Sequence, residues 1–445
     1  MTGRKTILVL LMLCTSASFA QTQTKQLTLQ EALTLAVENS NELKLSKAKL
    51  AIAQAKVSQA KDQAWPEVKA SATYLRINSP DVSFKGAEPE TDGDSEPGAL
   101  ASFANINSIG LAQLSVTQPI FAGFRIRNTR VMQEYLNEAA NYDQTTTKNK
   151  VLLNTAKAIY QYYQLLETKK LLDQNLQQAK QRVTEFANLE NQGVLARNDR
   201  LKADLQVNNI EYTRTEVNNN LQLAEYSLII LLGLPDNTSI QLDTVGMFKN
   251  PSFNTGDNFE QRALENRADI KSAQVQAEAG KAGTQIAKAS RYPTLAFTGG
   301  YVNMFIPDVV TVTNALNGGL ALQYNLSNVF HNKHQIQEAK AKQLQAELSA
   351  KIVNDQAKID VRKKFLNYQK SLEKIELSKR SIEQAQENFN ISKNKYNAGL
   401  MILSDYLDAD VTLLQKQIDY ATAKAESMIA YYELEESTGT LNKIF

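Results

Sequence analysis

One cysteine, Cys14, stands in a chain of 445 residues. That excludes a disulfide framework and any thiolate zinc site. Two histidines, His331 and His334, leave little for a histidine-based metal centre. Their i, i+3 spacing is better read as two polar residues at a helix start, since no carboxylate or cysteine is patterned beside them. Glycine (18) and proline (9) are scarce, together about half of the ~12% usual share. Poverty in chain breakers argues against a loop-rich all-β protein and for long helices. Lys and Arg number 49 against 47 Asp and Glu, so no field of one sign marks a nucleic-acid partner. The mean hydropathy is −0.37, and no segment reaches the ~18 consecutive apolar residues of a membrane helix. Phosphate-cradling glycine loops, serine or cysteine nucleophile constellations and basic-aromatic patches are also missing. The sequence thus predicts neither an enzyme nor a cofactor, and its length allows two or three domains or one long architecture.

What is present begins with an address. Arg4 and Lys5, an apolar run from Ile7 to Leu13, and Ser18-Phe19-Ala20 read as a signal peptide over residues 1–20 with a small-x-small cleavage site. Cys14 would suit a lipoprotein, but Leu13 sits where a lipoprotein signal wants a small residue. The protein is expected to be exported, and any membrane crossing must use strands.

An internal repeat organises the rest. Ala36-Val37-Glu38-Asn39 answers Ala263-Leu264-Glu265-Asn266 at an offset of 227 residues, as do Trp65-Pro66 and Tyr292-Pro293. Beyond the strands the offset falls to 206. Gly193, Asp199, Leu201 and Asp204 then answer Gly399, Asp405, Leu407 and Asp410, and Gly233 answers Gly439. The acidic stretch around Ser79 to Gly110 accounts for the difference and reads as an exposed loop enlarged in the first copy. The first copy is predicted over 21–235, with strands at 66–78 and 111–120, a long helix at 125–189 and a return helix at 198–232. A linker covers 236–262. The second copy, 263–445, has strands at 293–304 and 318–326, a long helix at 331–396 and a return helix at 404–437.

The strands alternate. Val68, Ala70, Ala72 and Tyr74 share one face and Glu67, Lys69, Ser71 and Thr73 the other; Ala112, Leu114 and Val116 continue the pattern. In the second copy Leu295, Phe297, Gly299 and Tyr301 are followed by Leu320, Leu322 and Tyr324. A membrane barrel wall has this alternation, and so does a half-buried soluble sheet. The helices decide more. About 65 residues without proline or glycine make a rod of roughly 95 Å. Leu172, Leu176, Ala179, Val183 and Phe186 follow a 4-3-4-3 spacing, and Ile375, Ile382, Phe389 and Tyr396 recur every seven residues, the seam of a coiled coil. The remaining faces are polar, which suits a tube lining water, or a fibre. Four strands in lipid would expose two unpaired edges, so they must close with strands of other chains; eight or twelve strands would serve.

With its signal peptide, twofold repeat, strand pairs and two helix–turn–helix arms, the chain resembles the outer-membrane efflux channel family (TolC-like) from about Leu27 to Gly439. The matched Gly-x5-Asp-x-Leu turns, Gly193/Asp199/Leu201 and Gly399/Asp405/Leu407, carry the resemblance most specifically, with Leu232-Gly233-Leu234-Pro235 closing the first copy. It implies a mostly α fold with membrane β: a homotrimer whose four strands per chain build a twelve-stranded barrel in outer-membrane lipid, above a long periplasmic helical tunnel. It further implies a passive exit duct for efflux or type I secretion, docked to a periplasmic adaptor protein and an inner-membrane pump. The alternative is an exported coiled-coil structural or adhesin protein without channel activity.

Several residues are candidates for function. Gly193, Val194, Leu195 and Ala196, with Lys395, Gly399, Leu400, Met401 and Ile402, place apolar residues at the ends of polar rods, where adaptor hairpins would dock. The alternative is packing of the tips against each other in a closed state. Departing from the family's tip pattern, Leu189 and Lys395 stand where it has Arg, and Ala196 and Ile402 where it has Ser or Thr. Asn198 and Ser404 are expected as helix N-caps, with Asp199 and Asp405 in the first turn at the positive helix end. Glu387, with Asn390, is the gate candidate, since family members carry acidic rings in this stretch; a solvated helix face is the plainer reading. Trp65, Phe121, Phe124, Tyr292, Tyr324 and Phe330 cluster at strand–helix borders and suit a membrane rim, or packing at the bend.

Overall fold

The computed structural model describes residues 23–78, 107–248, 258–307 and 310–444. The signal-peptide expectation and all but the end of the 79–110 loop fall outside them. The elements in order are β1 (Gln23–Leu27), α1 (Leu29–Asn39), α2 (Asn41–Asp62), β2 (Glu67–Arg76), β3 (Ser108–Ala122), α3 (Arg125–Asn191), α4 (Arg197–Leu232) and β4 (Thr238–Leu242). There follow α5 (Phe259–Asn266), α6 (Ala268–Ala289), β5 (Thr294–Ile306), β6 (Val310–Gln323), α7 (Leu326–His331), α8 (Lys333–Asn397) and α9 (Leu403–Ser437). Helices dominate, and α3 and α8 run 67 and 65 residues.

Several boundaries differ from those the sequence suggests. The last strand starts at Val310 rather than 318, because Asn303 and Asn314 support a bulge that lets pairing continue. Asn314 adopts a φ of 60° there, its backbone N–H donates to Asn303 Oδ1 (3.0 Å), and Tyr301 Oη lies 2.6 Å from Asn314 Oδ1. The second long helix does not begin at 331; Asn332 separates it from α7, and its buried side-chain amide donates to the Ala287 carbonyl at 3.0 Å. Within the expected linker 236–262 lie the parallel partner of β1, strand β4, and the start of α5. The first helix of each copy is split, at Ser40 and Arg267, both of which turn to extended ψ values of 119° and 123°.

The chain gathers into two units. One comprises the described residues within Met1–Ala48, Tyr142–Lys271 and Ile352–Phe445. Its main core packs Leu33, Ile159, Tyr160, Leu228, Leu232, Met428 and Leu434. Tyrosines tie strand β4 and the segment after it to this core: Tyr162 Oη donates to the Ile240 carbonyl (3.1 Å) and Tyr160 Oη to that of Met247 (2.6 Å). Burial, with Tyr432 adjacent, holds the Tyr160 hydroxyl far above its ordinary pKa, so these rings act as neutral hydrogen-bonded struts. The predicted seam of α3 is buried, with Leu172, Leu176, Ala179 and Phe186 all inward. From Ser371 to the tip, the most deeply buried row of α8 is instead Ser371, Ser378, Ala385 and Ser392, with Ile375, Ile382, Phe389 and Tyr396 half-buried four residues on. Together they complete a 4-3 heptad pattern whose small members allow close helix approach.

The other unit comprises the described residues within Lys49–Asn141 and Ser272–Lys351 and holds the four-stranded antiparallel sheet, in the order β2-β3-β5-β6. Registers of adjacent pairs align whole rows. Ala70, Leu114, Tyr301 and Leu316 lie side by side, as do Val68, Val116, Gly299 and Gly318. The intervening rows are Lys69, Ser115, Gly300, Asn317 and Glu67, Thr117, Thr298, Gly319. Because side chains alternate across a strand, one face is apolar and the other mainly polar or small. Pro119, which has no N–H to give to a ladder, marks a register shift opposite β5.

Candidate functional site

Two features are the candidates for function, the tips of the long hairpins and the sheet; among the described residues no His, Cys, Asp and Glu side chains gather into a metal-binding cluster. The tips are built alike. At the first, Gly193 takes a φ of 71°, its N–H donates to the Glu190 carbonyl (2.9 Å) and that of Val194 to Leu189 (2.9 Å). At the second, Gly399 has a φ of 72°, and the corresponding bonds run from Gly399 to Tyr396 (2.9 Å) and from Leu400 to Lys395 (2.8 Å). Both are Schellman motifs, which end a helix on a left-handed residue and satisfy its last carbonyls. The turn leaves Val194 and Leu400 73% and 78% exposed, beside exposed Ala196 and Ile402 and half-buried Leu195 and Met401.

Asn198 and Ser404 do not cap the return helices. Ala196 and Ile402 occupy the N-cap positions, without a side-chain hydrogen bond, and helix begins at Arg197 and Leu403. Packing explains the shift. Leu403 is buried in the tip cluster and Leu195 packs against it. Burying a leucine contributes roughly 1.5–3 kcal/mol, against about 1 kcal/mol for a cap bond. Asp199 and Asp405 do lie in the first helical turns, and Asp199 accepts from Lys202 at 3.2 Å.

Behind the turns the tip cluster joins Phe186, Ala203, Leu403, Tyr406 and Leu407. Tyr406 stacks on Tyr396 and Phe389, with centroids 5.3 and 5.7 Å apart, and burial raises the pKa of its hydroxyl. The Arg182 guanidinium lies 5.0 Å from the Tyr406 ring centre and donates to Asp410 Oδ2 at 2.7 Å. Arg182 and this pairing escape a reading of the sequence. The signal was available: Asp410 occupies the inward spacing of Leu403, Tyr406 and Leu413, where a carboxylate needs a buried partner. At the first tip Asp204, 206 residues earlier, is met by Arg200 at 2.7 Å, which also pairs with Glu190. Glu387 and Asn390 are exposed on α8 beside half-buried Phe389, and Asn390 Oδ1 accepts from Gln386.

At the strand–helix border Phe121 meets Phe124 edge-on at 5.4 Å, and Phe124 meets Tyr292 at 6.4 Å. Phe124 follows Gly123, and both have positive φ. A Cβ on Gly123 would lie 2.5 Å from the Ala289 carbonyl oxygen, so the tight turn that seats these rings requires glycine. Trp65 and Tyr324 are exposed at the same border without joining the stack, and Phe330 belongs to α7. On the apolar face of the sheet Val68, Tyr74, Leu316 and Leu320 are exposed to a degree that water disfavours. No helix among the described residues is long and apolar enough to cross a membrane.

The architecture has close counterparts. VceC, an outer membrane protein of Vibrio cholerae, matches with a TM-score of 0.76 at 18% identity, covering 92% of this chain and 96% of that one. The Campylobacter jejuni CmeC outer membrane channel matches at 0.75 and 18% (93% and 86% covered), and the open MtrE channel of Neisseria gonorrhoeae at 0.72 and 15% (93% and 89%). No curated protein sequence matches significantly. The family profile described as outer membrane efflux protein matches residues 32–234 and 260–440. Spanning most of the chain in two segments, that match shows that the protein belongs to the outer membrane efflux protein family and is an outer-membrane protein.

Proposed function

We propose that three copies of this chain close their sheets into one twelve-stranded barrel and serve as the exit duct of a tripartite efflux or type I secretion machine. Support for closure comes above all from the sheet: four strands with β2 and β6 at its edges and an exposed apolar face. In lipid each unpaired backbone group costs several kcal/mol, so two open edges of about ten residues would exceed the net stability of any domain. Joining β6 of one copy to β2 of the next removes both edges. The duplicated grammar of the chain, with elements of equal length 227 residues apart at α2 and α6, lets each chain supply two similar segments of the ring.

The duct performs no chemistry in this reading. Polar helix faces line the periplasmic tunnel, Trp65, Phe121, Phe124, Tyr292, Tyr324 and Phe330 mark the membrane rim, and an inner-membrane pump supplies energy. Val194, Leu195, Leu400, Met401 and Ile402 at the tips receive a periplasmic adaptor; Glu387 and Asn390 form part of the gate. The direct test is the protein-only mass of the detergent-extracted membrane species by light scattering. About three times the mature chain mass supports the duct, whereas a soluble monomer or dimer needing no detergent would overturn it.

A further inference from the structure

Helix α6 is buried along two stripes, and α2 along one. The shared stripe is Ala277, Gly280, Thr284 and Ala287 in α6, matching Leu50, Ala53, Val57 and Ala60 in α2 at the 227-residue offset; all eight are buried or half-buried. In α6 this stripe meets α8: the Thr284 hydroxyl lies 3.2 Å from the Ala339 carbonyl and 2.9 Å from Gln343 Oε1, and a Cβ on Gly280 would lie 3.3 Å from Gln343 Cα. The second stripe of α6 meets α3. Ser272 Oγ donates to the Ala139 carbonyl at 3.4 Å, and a Cβ on Gly283 would lie 3.8 Å from Met132 Sδ. Its counterparts in α2 have no such cover. Ala279 is 5% exposed but Ile52 is 57% exposed, and Lys56 and Gln59, which match Gly283 and Ile286, are exposed too.

We infer that this open face of α2 is covered by α8 of a second copy, with Lys56 of one chain meeting Glu338 of the next. Two offsets give the pairing. Gly283 faces Met132 within the chain; Lys56 stands 227 residues before Gly283, and Glu338 stands 206 residues after Met132. The two residues so brought together carry opposite charges, and both are exposed in the single chain. Glu338 already accepts from Lys342 at 2.6 Å on its own helix, so Lys56 would join an existing pair. Polar residues replace apolar ones at this seam, since Lys342 matches Leu136, which makes the contact between copies wetter than its counterpart within the chain. This inference rests on the proposed closure by a second copy and adds which helix faces meet.

The experiment carries Lys56→Cys and Glu338→Cys together in the full chain, treats the detergent-extracted protein with a short bis-maleimide and resolves it under denaturing conditions. Covalent trimer is expected, with either single variant remaining monomeric. Light scattering on the same sample separates the two readings. A trimeric mass without covalent product above that of the single variants overturns the seam while leaving the duct; a monomeric mass for the unaltered protein overturns both. A second arm needs no cysteine. Lys56→Glu is expected to lower the dissociation temperature of the trimer by several degrees, and adding Glu338→Lys to recover most of that loss. A double variant no better than the worse single one overturns the pairing.

Discussion

Arg182 of α3 and Asp410 of α9 form an ion pair whose side chains are 9% and 2% exposed, with Nη2 and Oδ2 2.7 Å apart. Asp410 also lies 3.5 Å from the Asn175 amide, and Arg182 rests over Tyr406. Taking two charges out of water costs about as much as their attraction returns, so such a pair fixes geometry more than it adds stability. Breaking one half is the damaging change. We expect Asp410→Ala or Arg182→Met to destabilise the chain by roughly 3–5 kcal/mol, and the apolar pair Arg182→Met with Asp410→Leu to recover most of that. A double-mutant cycle on the apparent unfolding midpoint in detergent measures it. Single losses below about 1 kcal/mol would mean that the pair is solvated.

Four glycines end helices in the left-handed region, and their surroundings rank their substitution. Nothing lies within 4 Å of a Cβ built on Gly193 or Gly399. Alanine there should destabilise by only about 1–2 kcal/mol, the backbone term alone. At Gly233 the Cβ would lie 2.7 Å from Asn39 Cβ, and Asn39 donates its amide to the Leu232 carbonyl at the end of α4. At Gly439 it would lie 2.7 Å from the backbone of Asn266 and Arg267. Gly439→Ala should therefore be the most damaging, Gly233→Ala next and the two tip variants mildest. Equal shifts in unfolding midpoint at all four would refute the ranking.

Much of this was legible in the sequence, for identifiable reasons. Seven-residue spacing placed Leu172 and Phe186 inward because a long helix can bury only one stripe. Alternation at Val68 to Tyr74 revealed strand faces because the side-chain period of a strand is two. Turn glycines at 193 and 399 stood out because little else ends a helix in a chain so poor in breakers. What stayed hidden depends on distant partners. The parallel pairing of Gln23–Leu27 with Thr238–Leu242 joins two five-residue segments more than 200 residues apart, too short for a pattern of their own to show the pairing. The true caps, Ala196 and Ile402, follow from where Leu195 and Leu403 pack. The inward spacing of Asp410 calls for a buried partner, but that partner is an arginine 228 residues earlier, and no local pattern says which one.

Two glutamates near the end of α9 respond to pH in opposite senses. Burial pushes the Glu433 carboxyl up, and Lys157 and Lys364 more than offset it, holding its pKa below the usual 4.5. Its stabilising contribution is present above that value and is lost as pH falls through the folded-state pKa. Burial raises Glu436; Arg267 and Lys364 oppose the rise, while Asp360 and Asp269 add to it. A raised carboxyl favours the fold below pH 4.5 and loses that contribution as pH rises through its folded pKa. Glu436→Gln should accordingly raise the unfolding midpoint at pH 7.5 and leave it nearly unchanged at pH 4. Equal shifts at both would assign the effect to packing.

At the tips the proposed docking can be tested apart from the proposed assembly. Replacing Leu400 by Arg puts a charge on a side chain that is already exposed, so the fold and the trimer should persist. Loss of efflux in cells at an unchanged amount of membrane-extracted trimer is the expected result. Undiminished efflux would leave the tips as contacts between copies only.

Glu387 tests the interior of the proposed duct. It and Asn390 are exposed on α8 while Ala385 and Ser392 are buried, so the carboxylate faces away from the packed side of the tip. Three copies around one axis would bring three such carboxylates together, and divalent cations bind where like negative charges converge. In single-channel recordings, Glu387→Gln should weaken block by magnesium and alter conductance most at low salt, where screening is least. Asn390→Asp should act in the reverse direction by enlarging the ring's charge. Unaltered conductance and block in both variants would show that the two side chains lie on a solvated outer face, and the gate would then have to be sought elsewhere on the hairpin.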